Sequence, residues 1–226
     1  MFDKKISILV PYKSDKGLRD RNWFWIKKRY KKLMPNAELC IGQYNDEPFS
    51  RSAAINNAAK LATRDIFLIV DADIAFDIKQ IKRAMEGLRY FAWVVPYTSI
   101  DYLTFKQTSK LIEQDPSITL GSIDFTGSSK LIATNIYGAI NIIPRKYFEI
   151  VRGFDEQFKG WGEEDHAFGR VVDTICGEHV RLDTGLWHLH HPPASRIHCE
   201  KNTERLDRFY KDKKSILRNF NEGFKN

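Results

Sequence analysis

The chain has 226 residues, with 36 Lys plus Arg against 29 Asp plus Glu and a formal net charge of +7. Hydrophobic residues make up 42%, with 15 Phe, 9 Tyr and 5 Trp, enough to bury a sizeable core, so a disordered chain is excluded. No stretch approaches the roughly 18 apolar residues of a membrane span, and three cysteines without a CxxC pair argue against a disulfide framework or a zinc knuckle.

Ile6–Pro11 is a short β-branched run closed by proline and reads as a buried strand. Residues 16–32 hold eight basic side chains and one acid, so this segment alone carries +7 and the rest of the chain sums to zero. Trp23, Ile26, Tyr30 and Leu33 fall at helical spacing, which predicts an amphipathic helix with a basic outer face. Such a face is most often simply solvated; the functional reading is a patch for an anionic acceptor, a lipid headgroup or nucleic acid. No helix-turn-helix, zinc-finger or RNP signature supports nucleic acid.

Glu38–Gly42 reads as a second strand, and residues 50–62 as a helix with Ser50 or Ser52 as cap and a small-residue face. Residues 65–70 are the most apolar strand and run directly into Asp71-Ala72-Asp73. A helix over 77–88 and a strand over 91–97 follow. This alternation predicts an α/β fold with a mainly parallel sheet and helices on both faces. The pattern changes after residue 100. Residues 114–130 carry Pro, two Gly and four Ser with no period and read as a mobile loop. A strand over 137–143, a helix over 144–151, turns over 153–162, a helix over 163–174, a strand over 186–191 and a polar helical tail complete the chain. No repeat or long linker divides it.

Three clusters have residue types suited to chemistry. Asp71 and Asp73 follow a buried strand, at the sheet edge where open α/β folds bind ligands. Alternate residues of an extended chain share a side, so both carboxylates can address one hard cation. Without that context an Asp-x-Asp pair is more often a cap or turn. His188-Leu189-His190-His191 spaces two imidazoles for one side of an extended segment, and imidazole suits manganese, zinc or iron. Trp161-Gly162-Glu163-Glu164-Asp165 places three acids at a helix start, where the dipole offsets part of their repulsion. There a carboxylate could take a proton from a sugar hydroxyl while the indole stacks on a sugar ring.

In this order the clusters resemble a family. Residues 137–170, YGAINIIPRKYFEIVRGFDEQFKGWGEEDHAFGR, look like the carboxyl-terminal signature of β-1,4-galactosyltransferases and related bacterial chain-polymerising glycosyltransferases, with its W-G-x-E-D motif. Gln43 and Phe49-Ser50-Arg51 through Asn56 are similar to their Q…F-N-R-A…N stretch. Pro11-Tyr12 resembles the end of their first strand, and His188-Leu189-His190 resembles the H-L-H metal segment of the xylose-directed galactosyltransferases.

The resemblance implies a GT-A fold over residues 1–226 as one domain, with a nucleotide-sugar half at 1–100, an acceptor and catalytic half at 101–200 and a helical tail at 201–226. It implies that Pro11, Tyr12, Phe49 and Arg51 hold the nucleotide, with Asp71 near the ribose. Asp73, His188 and His190 would bind Mn2+ or another divalent cation on the donor diphosphate. Trp161 would lie between the two sugars, Gly162 and Glu164 would bind the acceptor, and Asp165 would be the general base of an inverting transfer from a UDP-sugar. Retaining relatives resemble W-G-G-E-N, so Asp165 favours inversion.

Two departures stand out. Glu163 replaces a frequent glycine and would add a third acid on the acceptor side, and Tyr137-Gly138-Ala139 has one glycine where two are usual. With no anchor or signal-peptide pattern at the N-terminus, a cytoplasmic location is expected. The acceptor is expected to be a glycan or glycoconjugate, one the basic helix would suit if it is anionic. A hydroxymethylated base in DNA is the less favoured acceptor, and a non-catalytic sugar-nucleotide-binding module is the alternative outside enzymology.

Overall fold

A computed structural model describes residues 1–223. Strand β1 (Ile6–Pro11) is buried along its whole length, as its apolar run demands. It pairs in parallel with β2 (Glu38–Gly42) on one side and β3 (Ile66–Val70) on the other. Helix α1 (Leu18–Leu33) and helix α2 (Arg51–Leu61) make these crossovers. Of the two candidate caps for α2, Ser50 serves: its hydroxyl accepts from the Ala53 amide at 3.3 Å. The small-residue face has a steric reason. A Cβ at Gly42 would lie 1.7 Å from the Ala54 carbonyl oxygen, so α2 packs directly on the β2 backbone.

After β3 come β4 (Ile74–Ala75), α3 (Ile78–Gly87), β5 (Trp93–Val95), β6 (Ser99–Tyr102), α4 (Phe105–Ile112) and β7 (Ser129–Ile132). The chain then forms β8 (Ile140–Pro144), α5 (Arg145–Ile150), α6 (Glu164–Ile175), β9 (His179–Arg181), β10 (Gly185–His188), α7 (Cys199–Phe209) and α8 (Lys213–Asn221). The central sheet has the order β2-β1-β3-β8-β5-β9, and a second sheet has the order β4-β10-β6-β7. One continuous hydrophobic core serves both.

The central sheet is mixed: three of its five strand pairings are parallel and two are antiparallel. β8 runs antiparallel to β3 and β5. The chain leaves the carboxyl end of β3 to build the second sheet and returns from that same end, pairing Ile140 with Val70 and Pro144 with Ile66. β8 therefore has to run opposite to β3.

The elements without a sequence expectation are short: β4, β6, β7 and β9 have two to four residues each. Helix α4 did leave a signal, because Thr104 and Gln107 form a capping box. The 114–130 segment is irregular yet anchored. Arg29 donates to the carbonyls of Pro116 and Ile118, Asp77 accepts from the Leu120 amide, and Leu120 is fully buried.

Helix α1 buries Trp23, Ile26 and Tyr30 as its spacing predicts, but its basic residues do not form one outer face. Arg29 is only 1% exposed, with its guanidinium bonded to the Phe76 carbonyl and the Asp77 carboxylate.

Candidate active site

The carboxyl ends of β1 and β3 open into a cleft of about 1110 Å³ closed by the second sheet and the start of α6. Pro11, Tyr12, Phe49, Arg51, Asp71 and Asp73 line it from the nucleotide half. Trp161, Glu164, Asp165, His188 and His190 line it from the other half. Gly162 does not. It is a turn residue at φ +109 whose carbonyl accepts from Asn202.

Asp73 is buried at the end of this edge. His188 Nε2 lies 3.6 Å and His191 Nε2 2.9 Å from its two carboxylate oxygens, and the three residues present ligand atoms within 4.8 Å of one another. The structure thus groups His191, not His190, with Asp73 and His188. Strand β10 ends at His188, and buried Leu189 donates its amide to the Asp73 carbonyl. Beyond that no strand pairing holds the chain, and the third residue, not the second, joins the cluster. The His190 ring instead meets Phe105 edge-on at 6.1 Å, and its amide donates to Thr108 Oγ1.

The cluster suits a divalent cation. His191 Nδ1 lies 2.7 Å from the Pro192 carbonyl, and its buried Nε2 faces the Asp73 carboxylate at 2.9 Å. Two imidazoles and a carboxylate gathered this closely form an N2O donor set that suits manganese, zinc or iron. Burial alone would raise the Asp73 carboxyl; His188 and His191 reverse this and hold it well below the ordinary carboxylate range.

Arg19, from the first turn of α1, also lines this end of the cleft. Its Nη2 lies 3.1 Å from His191 Nδ1. Among the described residues Arg19 has no carboxylate within salt-bridge distance. Sequence reasoning missed Arg19 because no motif marks it. It set His191 aside because period-two spacing picks His188 and His190.

Across the cleft Arg51 joins the two halves, with Nε 2.7 Å from Asp71 and Nη1 3.3 Å from Glu164. Burial, with Asp165 adding to it against Arg51, pushes the Glu164 carboxyl up to about 7. Tyr12 donates to Asp20 at 2.6 Å, which aims its ring along α1. Asp165 accepts the His166 amide through Oδ1, and its Oδ2 lies over the bare Cα of Gly138, where a Cβ would approach to 2.2 Å. The neighbouring Ala139 holds φ +62, a conformation glycine takes without strain, and its carbonyl accepts the Asp71 amide. The residue standing where the resembled family has a second glycine therefore holds backbone strain at the site. Trp161 is 46% exposed, with the Arg196 guanidinium 4.8 Å over its ring.

Glu163 does not enter the acceptor side. It turns at φ +74 and its carboxylate lies 2.8 Å from His166 Nδ1. His166 Nε2 meets the Asn135 carbonyl at 3.0 Å. Both partners only accept, so the ring satisfies both when doubly protonated. Burial disfavours that charge, but Asp165 and Glu163 outweigh it and the histidine is raised. A raised histidine contributes stability that is complete below its unfolded value of about 6.5 and is lost as pH rises through the folded value. The stability margin of the wild type over His166→Asn is therefore expected to be largest below about pH 6.5 and to shrink above it. Denaturant titrations of both proteins across pH check this, and a flat margin would refute it.

Residues 127–192 match a sequence family described as the N-terminal domain of galactosyltransferase; the match spans β7, β8, Trp161, Glu164, Asp165 and the histidine run. The chain is similar to a mutant Drosophila β1,4-galactosyltransferase 7 solved with manganese, UDP-Gal and xylobiose, at 18% identity over 88% of this chain and 74% of that one, TM-score 0.49. It is also similar to Mycobacterium tuberculosis glucosyl-3-phosphoglycerate synthase solved with Mn2+, UDP and phosphoglyceric acid, at 11% identity over 98% and 80%, TM-score 0.56.

The fold is the GT-A fold of glycosyltransferases.

Nothing among curated protein sequences matches the chain. Family segment and GT-A fold agree on a glycosyltransferase. Within that fold, the matched segment supplies the wall holding Trp161, Glu164 and Asp165, while β1, β3 and α2 supply the wall holding Tyr12, Arg51 and Asp73. No helix among the described residues is long and apolar enough to cross a membrane.

Proposed function

We propose that this chain is a metal-dependent, inverting glycosyltransferase. It moves a sugar from a UDP-sugar to a hydroxyl of a glycan or glycoconjugate, working as a single GT-A domain. One observation supports this reading above the others. A single cleft brings together a carboxylate–histidine cluster, an exposed indole and the Asp165 carboxylate.

Asp73, His188 and His191 are the residues that would hold the ion. When bound, Mn2+ or a similar cation neutralises charge on the departing diphosphate. Pro11, Tyr12 and Phe49 hold the nucleoside, and Arg51 keeps Asp71 fixed beside it. Asp165 removes the proton of the acceptor hydroxyl as its oxygen bonds to the anomeric carbon. The bond from that carbon to the diphosphate oxygen breaks, and its electron pair leaves with UDP. One displacement inverts the centre, as in one-step glycoside chemistry. Trp161 stacks on the sugars, and Glu164, with its carboxyl raised to about 7, can present a proton to an acceptor oxygen.

A screen of UDP-sugars for manganese-dependent release of UDP, followed by mass spectrometry of acceptors, tests the reading. No UDP release with any donor would overturn it. The ligand set has its own test. His191→Ala is expected to weaken Mn2+ binding by more than about 10-fold, whereas His190→Ala leaves it nearly unchanged. Titration calorimetry with Mn2+ and UDP separates the two, and the reverse ranking would restore His190 as the ligand.

Arg19 acquires a role here. Arg19 lines the cleft beside His191 with no carboxylate partner among the described residues, so its charge is available to a diphosphate entering beside Asp73. Arg19→Gln is expected to weaken UDP by about 10- to 100-fold, the worth of a charge-assisted hydrogen bond, and to leave uridine affinity unchanged. An equal loss for both ligands would point to collapse of the pocket instead.

A further inference from the structure

The positive charge of α1 is divided. Arg19 faces the cleft and Arg29 is buried, while Arg21, Lys28, Lys31 and Lys32 line a separate groove of about 590 Å³. Its walls are apolar: Phe24 and Trp25 on α1 face Ile112 and Pro116. No acidic residue lines it among those described. Among the described residues, Lys32 is the one cation of the groove with a carboxylate partner, Asp115 at the rim.

Two features of this groove are unexplained by the fold. Phe24 is 64% exposed, with the Lys28 ammonium 4.1 Å over its ring. Arg21 Nε and Nη2 are buried and have no hydrogen-bond partner, and Nη1 makes only a 3.4 Å contact with Ser109. Buried donors without acceptors cost stability unless a ligand or ion takes them. A guanidinium with two free N–H groups fits a phosphate. An anion alone would not need the aromatic and aliphatic walls, and a duplex polyanion would leave Phe24 idle. The joint demand is for a phosphate attached to an apolar body.

We infer that this groove docks the chain onto a membrane surface bearing anionic phospholipids. Phe24 enters the acyl boundary, Arg21 takes a lipid phosphate, and Lys28 and Lys31 meet neighbouring headgroups. The inference stands on α1, α4 and the residues just after α4, and does not depend on the reaction proposed for the cleft.

Co-sedimentation with phosphatidylcholine vesicles, with and without phosphatidylglycerol, tests it. The wild type is expected to bind only the anionic vesicles, less as salt rises. Each cation at such a surface is worth about fivefold in affinity, so Lys28→Glu with Lys31→Glu should weaken binding by at least about 25-fold. These exposed positions leave the fold intact, and manganese-dependent UDP binding should be unchanged. Phe24→Ser should weaken binding even at high salt, and Arg21→Gln should weaken it as well. Equal binding to neutral vesicles, no binding to either, or indifference to Phe24→Ser would overturn the inference. Full competition by inorganic phosphate would reduce the groove to a simple anion site, and tighter binding to duplex DNA sensitive to the same variants would make it a nucleic-acid surface.

Discussion

Asp165→Asn is expected to reduce transfer by about a thousandfold or more while UDP binding with Mn2+ stays within about twofold. The amide has the shape of the carboxylate and fits the same space over Gly138, so the cleft is not rebuilt. What it loses is the ability to accept a proton. The reacting hydroxyl must then attack while still protonated, and general-base assistance is worth about 10² to 10⁴ in rate. The donor side is untouched, because Arg51 makes its hydrogen bonds to Asp71 and Glu164 rather than to Asp165. Gly138→Ala gives a companion result. The added methyl displaces the carboxylate, and an error of about 1 Å in a reacting group costs about a hundredfold. Turnover assays with calorimetry of UDP binding check both. Near-normal turnover of Asp165→Asn would remove Asp165 from the base role.

The second large effect is on stability. Arg29→Met is expected to cost about 3–5 kcal/mol, the range for breaking a buried, hydrogen-bonded charge pair. The side chain is 1% exposed and donates to the carbonyls of Phe76, Pro116 and Ile118 as well as to Asp77. Methionine fills much of the volume but supplies none of these donors, so buried carbonyls are left unpaired. Because domains hold only about 5–15 kcal/mol in total, the change should appear as a large drop in the denaturant midpoint. It should also release residues 114–121, which hydrogen exchange would detect. A loss under about 1 kcal/mol would show that water replaces the guanidinium there.

The half of the fold before residue 100 was legible because its elements repeat long, clean patterns. β1 and β2 fall on their expected bounds, and α2 and β3 within a residue or two. In the second sheet β4, β6 and β7 were not legible, because strands of two to four residues are too short to show a period and β7 is exposed along its whole length. The site follows the same division. Asp73 was singled out because an apolar strand leads into it, and Asp165 because it stands in a run of acids at a helix start after a glycine-rich turn. His191 was not singled out because period-two spacing picks His188 and His190, whereas β10 stops at His188.

By itself the sequence determined the order of strands and helices in the nucleotide half, the placing of acids and histidines at element ends, and hence the class of chemistry. Tertiary structure alone decided the direction of β8, the histidine that joins Asp73, and the fate of each basic residue on α1. The physical reason is the same in each case. Local pattern records which face of an element is apolar, but not what lies opposite it. Arg19, Arg21 and Arg29 share one helix and one charge, yet one faces the carboxylate–histidine cluster, one lines an apolar groove and one is buried among carbonyls. Only the packing of distant segments against α1 gives them different tasks.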